Sequence, residues 1–122
     1  MPEEIRTIIF DADELLDALS QLAVRKGAPV PNGSMPTCRL RTEPSIQAVL
    51  TVEGQCKTSI EFSTEDIGAA LMLYCIKNKI PLPLKNAVKG VKIIDKAVAL
   101  VVTVNAGPQR LAEVIYGDRR AV

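Results

Sequence analysis

Histidine and tryptophan are absent from this chain, and each absence excludes a class of function. Without histidine the protein lacks the commonest general base, the commonest metal ligand and the side chain that titrates near neutral pH. With only four aromatic residues (Phe10, Phe62, Tyr74 and Tyr116), the chain has no evident surface for stacking bases, sugars or flavin rings. No Cys-x-x-Cys pair or glycine-rich phosphate loop occurs either. The sequence therefore predicts no metal, no cofactor and no set of catalytic residues.

Cysteine is also scarce, with Cys38, Cys56 and Cys75 spaced 18 and 19 residues apart. An odd number of thiols without a secretory leader predicts reduced cysteines and a cytoplasmic location. Cys75 lies in an apolar helical stretch, which predicts a buried thiol. Cys56 is followed by the positively charged Lys57, so a reactive thiol at Cys56 is an alternative that the sequence leaves open.

The longest apolar run is only as long as a core helix, so we expect no membrane span.

What the sequence does contain is a globular composition. Of its 122 residues, 48% are apolar and 24% are charged, with a net charge of +1. This balance predicts one domain, residues 1–122, with a substantial core. The small net charge gives no general attraction to nucleic acids or membranes.

The chain resembles itself at a constant offset of 52 residues. Residues 8–52 align without gaps on residues 60–104, and nine of the 45 pairs are identical, where chance gives about three. The identical residues of the first half are Ile8, Phe10, Ala18, Leu19, Pro29, Pro31, Val49, Thr51 and Val52. The alignment predicts internal repeats at residues 6–54 and 58–106, followed by a C-terminal extension, residues 107–122.

Each repeat has the pattern of a strand, a helix and a β-hairpin. The predicted elements are strands at 7–10, 38–42, 46–52, 58–62, 91–94 and 98–104, with helices at about 11–26 and 64–79. The extension is predicted to hold a short helix that starts near Pro108. The fold class is therefore α+β: a mainly antiparallel sheet, both helices on one face, and a pseudo-twofold relation between the repeats.

One strand departs from this symmetry. Leu40 lies between two arginines, whereas its counterpart Lys92 lies between Val91 and Ile93. Because side chains alternate between the faces of a strand, the pattern predicts a shift of local register there.

The two helices differ on one side. Ala69, Met72, Leu73 and Ile76 are apolar, whereas three of their counterparts, Asp17, Ser20 and Gln21, are polar. A helix that is apolar nearly all round must be covered on both sides. Either Leu111, Val114 and Ile115 of the extension cover it, or another chain does, as a homodimer or a partner protein. The second explanation predicts a non-catalytic interaction or assembly module.

Residues 77–96 carry six lysines against one aspartate. An anion or a nucleic acid is the alternative partner, with Lys85, Lys89, Lys92 and Lys96 as possible contacts. Lysines also keep loops and edge strands soluble and unpaired, which is the competing interpretation of the same segment.

A third possibility is enzymatic. Met1-Pro2 exposes an N-terminal proline once the methionine is removed, and a duplicated β-α-β chain of this length resembles the tautomerase superfamily. That resemblance implies Pro2 as a catalytic base. In that family an apolar strand follows the proline directly, whereas Glu3 and Glu4 intervene here.

Overall fold

The computed structural model describes residues 2–27, 36–43, 45–52, 58–83 and 87–116, which contain six strands and three helices. In chain order these are β1 (Glu4–Phe10), α1 (Ala12–Arg25), β2 (Thr37–Arg41), β3 (Gln47–Val52), β4 (Thr58–Phe62), α2 (Thr64–Lys77), β5 (Ala87–Ile94), β6 (Ala97–Val104) and α3 (Pro108–Tyr116). The protein is α+β with a short C-terminal helix, as the sequence predicts.

Both long helices begin with a capping box. The Glu14 amide donates to Asp11 Oδ1 at 2.8 Å and the Asp11 amide to Glu14 Oε1 at 3.0 Å. Ser63 and Asp66 form the same reciprocal pair at the start of α2. Each box satisfies amides that have no partner inside the helix, so these four side chains fix where the helices start.

Helix α2 ends two residues earlier than the sequence predicts. Lys79 has a φ of 58°, in the left-handed region that terminates helices. The Ile80 amide then donates to the Cys75 carbonyl oxygen at 2.8 Å, which turns the chain back along the end of the helix.

The strands form two three-stranded antiparallel sheets instead of one. The orders are β1-β6-β5 and β2-β3-β4, so each sheet takes strands from both halves of the chain. Phe10 of β1 lies opposite Val98 of β6, and Phe62 of β4 lies opposite Ala48 of β3.

The helices pack against both sheets and enclose the core. Phe10 and Phe62 are each only 1% exposed, and Leu19 of α1 and Leu71 of α2 are fully buried with them. Helices α1 and α2 contact each other and strands from both sheets, so one apolar cluster joins the two halves.

The expected register shift occurs in the hairpins. Leu40 lies opposite Ala48, whereas Val91, not Lys92, lies opposite Leu100. The cause is loop length: β5 and β6 are joined by Asp95 and Lys96 alone, both with positive φ, whereas five residues join β2 to β3. The order of elements is the same in both halves, but the internal repeat itself stays a prediction.

Candidate interaction surfaces

The apolar residues predicted to bind a partner form a strip along α2. We call Ala69, Met72, Leu73 and Ile76 the α2 strip. Ala69 is exposed, Ile76 is 60% exposed, and Met72 and Leu73 are half-buried, with part of each side chain packed on the core. The opposite side of the helix is buried through Ile67, Ala70, Leu71 and Cys75. The strip is therefore the outward side of a helix whose inward side is already in the core.

The corresponding side of α1 is polar. The side-chain Nε2 of Gln21 donates to Asp17 Oδ1 at 3.0 Å, and Asp13 is exposed one turn earlier. Val24, the counterpart of Ile76, is the exception and is 57% exposed. Val24 and Ile76 therefore have similar exposure but different surroundings. Val24 lies beside polar side chains of α1, whereas Ile76 lies beside apolar side chains of α2.

Helix α3 packs on the first sheet, on the face away from α2. A Cβ atom at Gly90 would lie 2.5 Å from Ile115 Cδ1 and 3.3 Å from Leu111 Cδ2, so the absence of a side chain there lets α3 approach. The neighbouring residue Val91 points to the other face, where α2 lies with Gly68 close to Val91 Cγ2. Leu111 and Ile115 thus cover β5, and do not cover the α2 strip.

Charged residues flank the α2 strip. Glu65 lies one turn before Ala69, and Lys79 lies three residues after Ile76; both are exposed. Within the part of the chain that the structure describes, neither side chain has an ion-pair partner. The spacing of Glu65 four residues before Ala69 is a sequence signal for its place beside the strip, whereas Lys79 follows the end of α2 at Lys77 and lies outside that periodicity.

Of the four predicted anion-binding lysines, the structure describes Lys89, Lys92 and Lys96, and it does not bring Lys89 and Lys92 onto one surface. Lys89 and Lys92 point to opposite faces of β5, because they are three residues apart in a strand. Lys92 Nζ donates to the Val114 carbonyl oxygen at 3.2 Å and so holds the end of α3. Lys96 is exposed in the β5–β6 turn, and Lys85 lies outside the described residues.

A different positive surface lies on the second sheet. Arg39 and Arg41 share a cleft of about 560 Å³ with the hydroxyl groups of Thr37, Thr51 and Ser59. Among the described residues neither arginine has an ion-pair partner, although Glu61 projects from the same face of the sheet. Guanidinium and hydroxyl donors together suit an anion. In the sequence, the polar residues Thr37, Arg39 and Arg41 alternate with Cys38 and Leu40, and this alternation was the signal that the polar residues share one face of β2.

The outer face of β1 is a second exposed apolar surface. Ile5 is 43% exposed and Ile9 is 56% exposed, with Thr7 between them on the same face. β1 is an edge strand, with β6 as its neighbour. Arg6 on the inner face donates to the Pro81 carbonyl oxygen at 2.6 Å, which attaches the segment after α2 to this edge.

The possible catalytic groups among the described residues are two thiols and Pro2. Cys75 is fully buried and Cys38 is half-buried, and burial raises the pKa of both thiols, which lowers the thiolate fraction. Pro2 is exposed, and its carbonyl oxygen accepts a hydrogen bond of 3.0 Å from the side-chain Nδ2 of Asn105. Cys56 lies outside the described residues. In the described ranges, no group of three or more carboxylates or thiols has a metal-binding arrangement.

Comparison of the chain with protein-family models, with curated proteins and with solved structures finds no match. Among the helices that the structure describes, none is both long and apolar enough to cross a membrane.

Proposed function

We propose that this protein is a non-catalytic interaction or assembly module that binds its partner through the α2 strip. The observation that supports the proposal is the exposure of Ile76, at 60%, in line with Ala69, Met72 and Leu73 on one side of a helix. Contiguous apolar surface of this kind on a soluble chain marks a site of association.

The position of α3 supports the same proposal. The sequence left two ways to cover the apolar side of α2, and α3 instead packs on β5 and β6. Covering the α2 strip therefore requires another chain, or a segment outside the described residues.

Met72 suits such a surface. Its unbranched, polarizable side chain adapts to the shape of a partner, and methionine recurs in grooves that accept varied sequences.

The proposal includes a cytoplasmic location, which the free thiols of Cys38 and Cys75 support because reduced cysteines persist in that compartment.

The test compares Ile76→Glu with Val24→Glu. The two parent residues are 60% and 57% exposed, so both substitutions place a charge in a similar solvent environment. Tagged full-length chains are recovered from the protein's own cells, and the complexes are cross-linked and identified. We expect wild type and Val24→Glu to recover the same partner, either a second copy or another protein, and Ile76→Glu to lose it.

Equal recovery of that partner by all three chains would show that the α2 strip is not the binding surface. Circular dichroism of the purified variants checks that each has kept its fold.

A further inference from the structure

The outer face of the second sheet carries a row of hydroxyl groups that crosses all three strands. Thr37 of β2 lies opposite Thr51 of β3, and Thr51 lies opposite Ser59 of β4. Neighbouring strands are about 4.8 Å apart, so these three side chains form a continuous row, which we call the hydroxyl row. The helices pack on the other face of this sheet, against Ala48 and Leu50, and leave the hydroxyl row uncovered.

Two arginines border the hydroxyl row. Arg39 and Arg41 follow Thr37 at alternate positions of β2, so all three side chains leave the same face of the strand at intervals of about 6.8 Å. They are exposed, and they line one cleft of about 560 Å³ together with Thr51 and Ser59. None of the described residues that line the cleft carries a carboxylate. The cleft therefore combines two positive charges with three hydroxyl donors.

These donors have no partner among the described residues. Neither guanidinium group forms an ion pair there, and none of the three hydroxyl groups donates a hydrogen bond. The strand register explains why the arginines are unpaired: Arg39 lies opposite Val49 and Arg41 lies opposite Gln47, neither of which is charged. Donors that the sheet holds in place and does not use are preorganised for a ligand that supplies acceptors.

We propose that this cleft binds the phosphate group of a small phosphorylated molecule. A phosphate monoester presents three strong acceptor oxygens and a charge of about −1.5 to −2 at pH 7, which matches three hydroxyl groups and two arginines. Guanidinium groups bind phosphate through two parallel hydrogen bonds. A carboxylate has one charge and two oxygens, so it would leave some of these donors unpaired. The site is separate from the α2 strip, and neither proposal depends on the other.

The surroundings of the cleft favour a small molecule over a nucleic acid. Its volume of about 560 Å³ falls within the roughly 300–1,000 Å³ of small-molecule sites. Glu61 projects from the same face on β4, beyond Val49 as seen from Arg39, so a polyanion that crossed the sheet would meet a negative charge. The described side chains of this face include no aromatic ring on which a base could stack.

The test is a titration of the isotope-labelled, full-length chain with ribose 5-phosphate at constant ionic strength, followed by NMR of the backbone amides. We expect shifts confined to β2, Thr51 and Ser59, with saturation at about millimolar ligand because exposed ion pairs are individually weak. Ribose, which lacks the phosphate, should cause no shift. Succinate, which has the same charge on two carboxylates, should bind at least about fivefold more weakly.

Substitutions then assign the binding to the cleft. Arg39→Gln and Arg41→Gln should each weaken binding of ribose 5-phosphate about fivefold, which is the upper end of what one exposed ion pair contributes. Arg25→Gln is the matched control, since Arg25 is exposed at the end of α1 and its loss changes the net charge equally; it should leave the affinity unchanged. Glu61→Gln removes the acidic group from the same face and should strengthen binding about twofold.

The same spectra show whether each variant has kept its fold, because a folded chain retains its dispersed amide signals. A wild-type chain that ribose 5-phosphate does not shift would overturn the proposal. Equal affinity for succinate would contradict the choice of phosphate, and equal weakening by Arg25→Gln and Arg39→Gln would assign the effect to net charge. A short single-stranded oligonucleotide that shifts the same amides at lower concentration than ribose 5-phosphate would show that the ligand is a nucleic acid.

Discussion

Thr103 is fully buried in the middle of the first sheet, and its hydroxyl has no hydrogen-bond partner among the described residues. It belongs to the alternate residues of β6 that point toward α3, together with Ala99 and Val101. A buried hydroxyl without a partner loses its water and gains nothing in return. The Thr103 side chain therefore fits its buried position in shape, but its hydroxyl group is unfavourable there.

Thr103→Val should leave the free energy of unfolding unchanged or raise it by about 1 kcal/mol, because valine has the same shape without the unsatisfied group. Urea denaturation measures the difference. Thr51→Val is the control, since Thr51 is its counterpart in β3 on a half-exposed face, where we expect almost no effect. A clear loss of stability in Thr103→Val would show that the hydroxyl has a partner in the native protein.

At the start of α2, Asp66 combines a capping hydrogen bond with an ion pair to α1. Asp66 receives a hydrogen bond from the Ser63 amide at 3.0 Å, and its carboxylate lies 3.0 Å from Lys26 Nζ at the end of α1. The backbone hydrogen bond and the lysine hold the pKa of Asp66 below its ordinary value. One carboxylate therefore caps one helix and ties it to the other.

Asp66→Asn tests this role through its pH dependence. A lowered pKa means that the folded state binds the proton less readily than the unfolded chain, so the ionised carboxylate stabilises the fold above about pH 4. We expect the variant to lose about 0.5 kcal/mol at pH 7. The difference between the two proteins should shrink and vanish as the pH falls through the lowered pKa of Asp66.

Denaturation midpoints between pH 2 and pH 7 measure that difference. Glu14→Gln is the control, since Glu14 holds the equivalent place in the capping box of α1 and, among the described residues, forms no ion pair with a lysine or arginine. A constant difference between wild type and Asp66→Asn across the whole range would contradict the assigned cause.

At the scale of the elements, helices were easier to predict than strand pairing. Helix starts depend on Asp11, Glu14, Ser63 and Asp66, which act over three residues and are visible in the sequence. The apolar α2 strip was also visible, because helical periodicity is a local property. The face on which α3 packs was not, since it depends on Gly90 being near Leu111, about twenty residues further along the chain.

At the scale of the whole molecule, the two sheets are held together through the helices between them. Phe10 and Phe62 belong to different sheets and share one apolar cluster with Leu19 and Leu71. The ring of Phe10 also meets Tyr74 of α2 edge-on, with the ring centroids 5.7 Å apart. The cluster therefore joins distant parts of the chain.

Phe10→Ala and Phe62→Ala should each lower the free energy of unfolding by about 3–5 kcal/mol, because each removes a fully buried ring from the same core. Thermal and urea denaturation measure the loss. Ile9→Ala is the control: Ile9 is next to Phe10 but 56% exposed, so its change should stay within about 0.5 kcal/mol. If only one of the two phenylalanine variants is destabilised, the halves do not contribute equally to the core.

The sequence by itself determined the α+β class, the starts of both long helices, the burial of Phe10 and Phe62, and the apolar side of α2. These depend on capping residues and on periodicity, which act within one or two turns of the chain. Only the tertiary structure decided that β1 pairs with β6, that the strands divide into two sheets, and that α3 covers β5. Those contacts join residues far apart in the chain, and their free energy depends on how whole faces fit together, which no local pattern specifies.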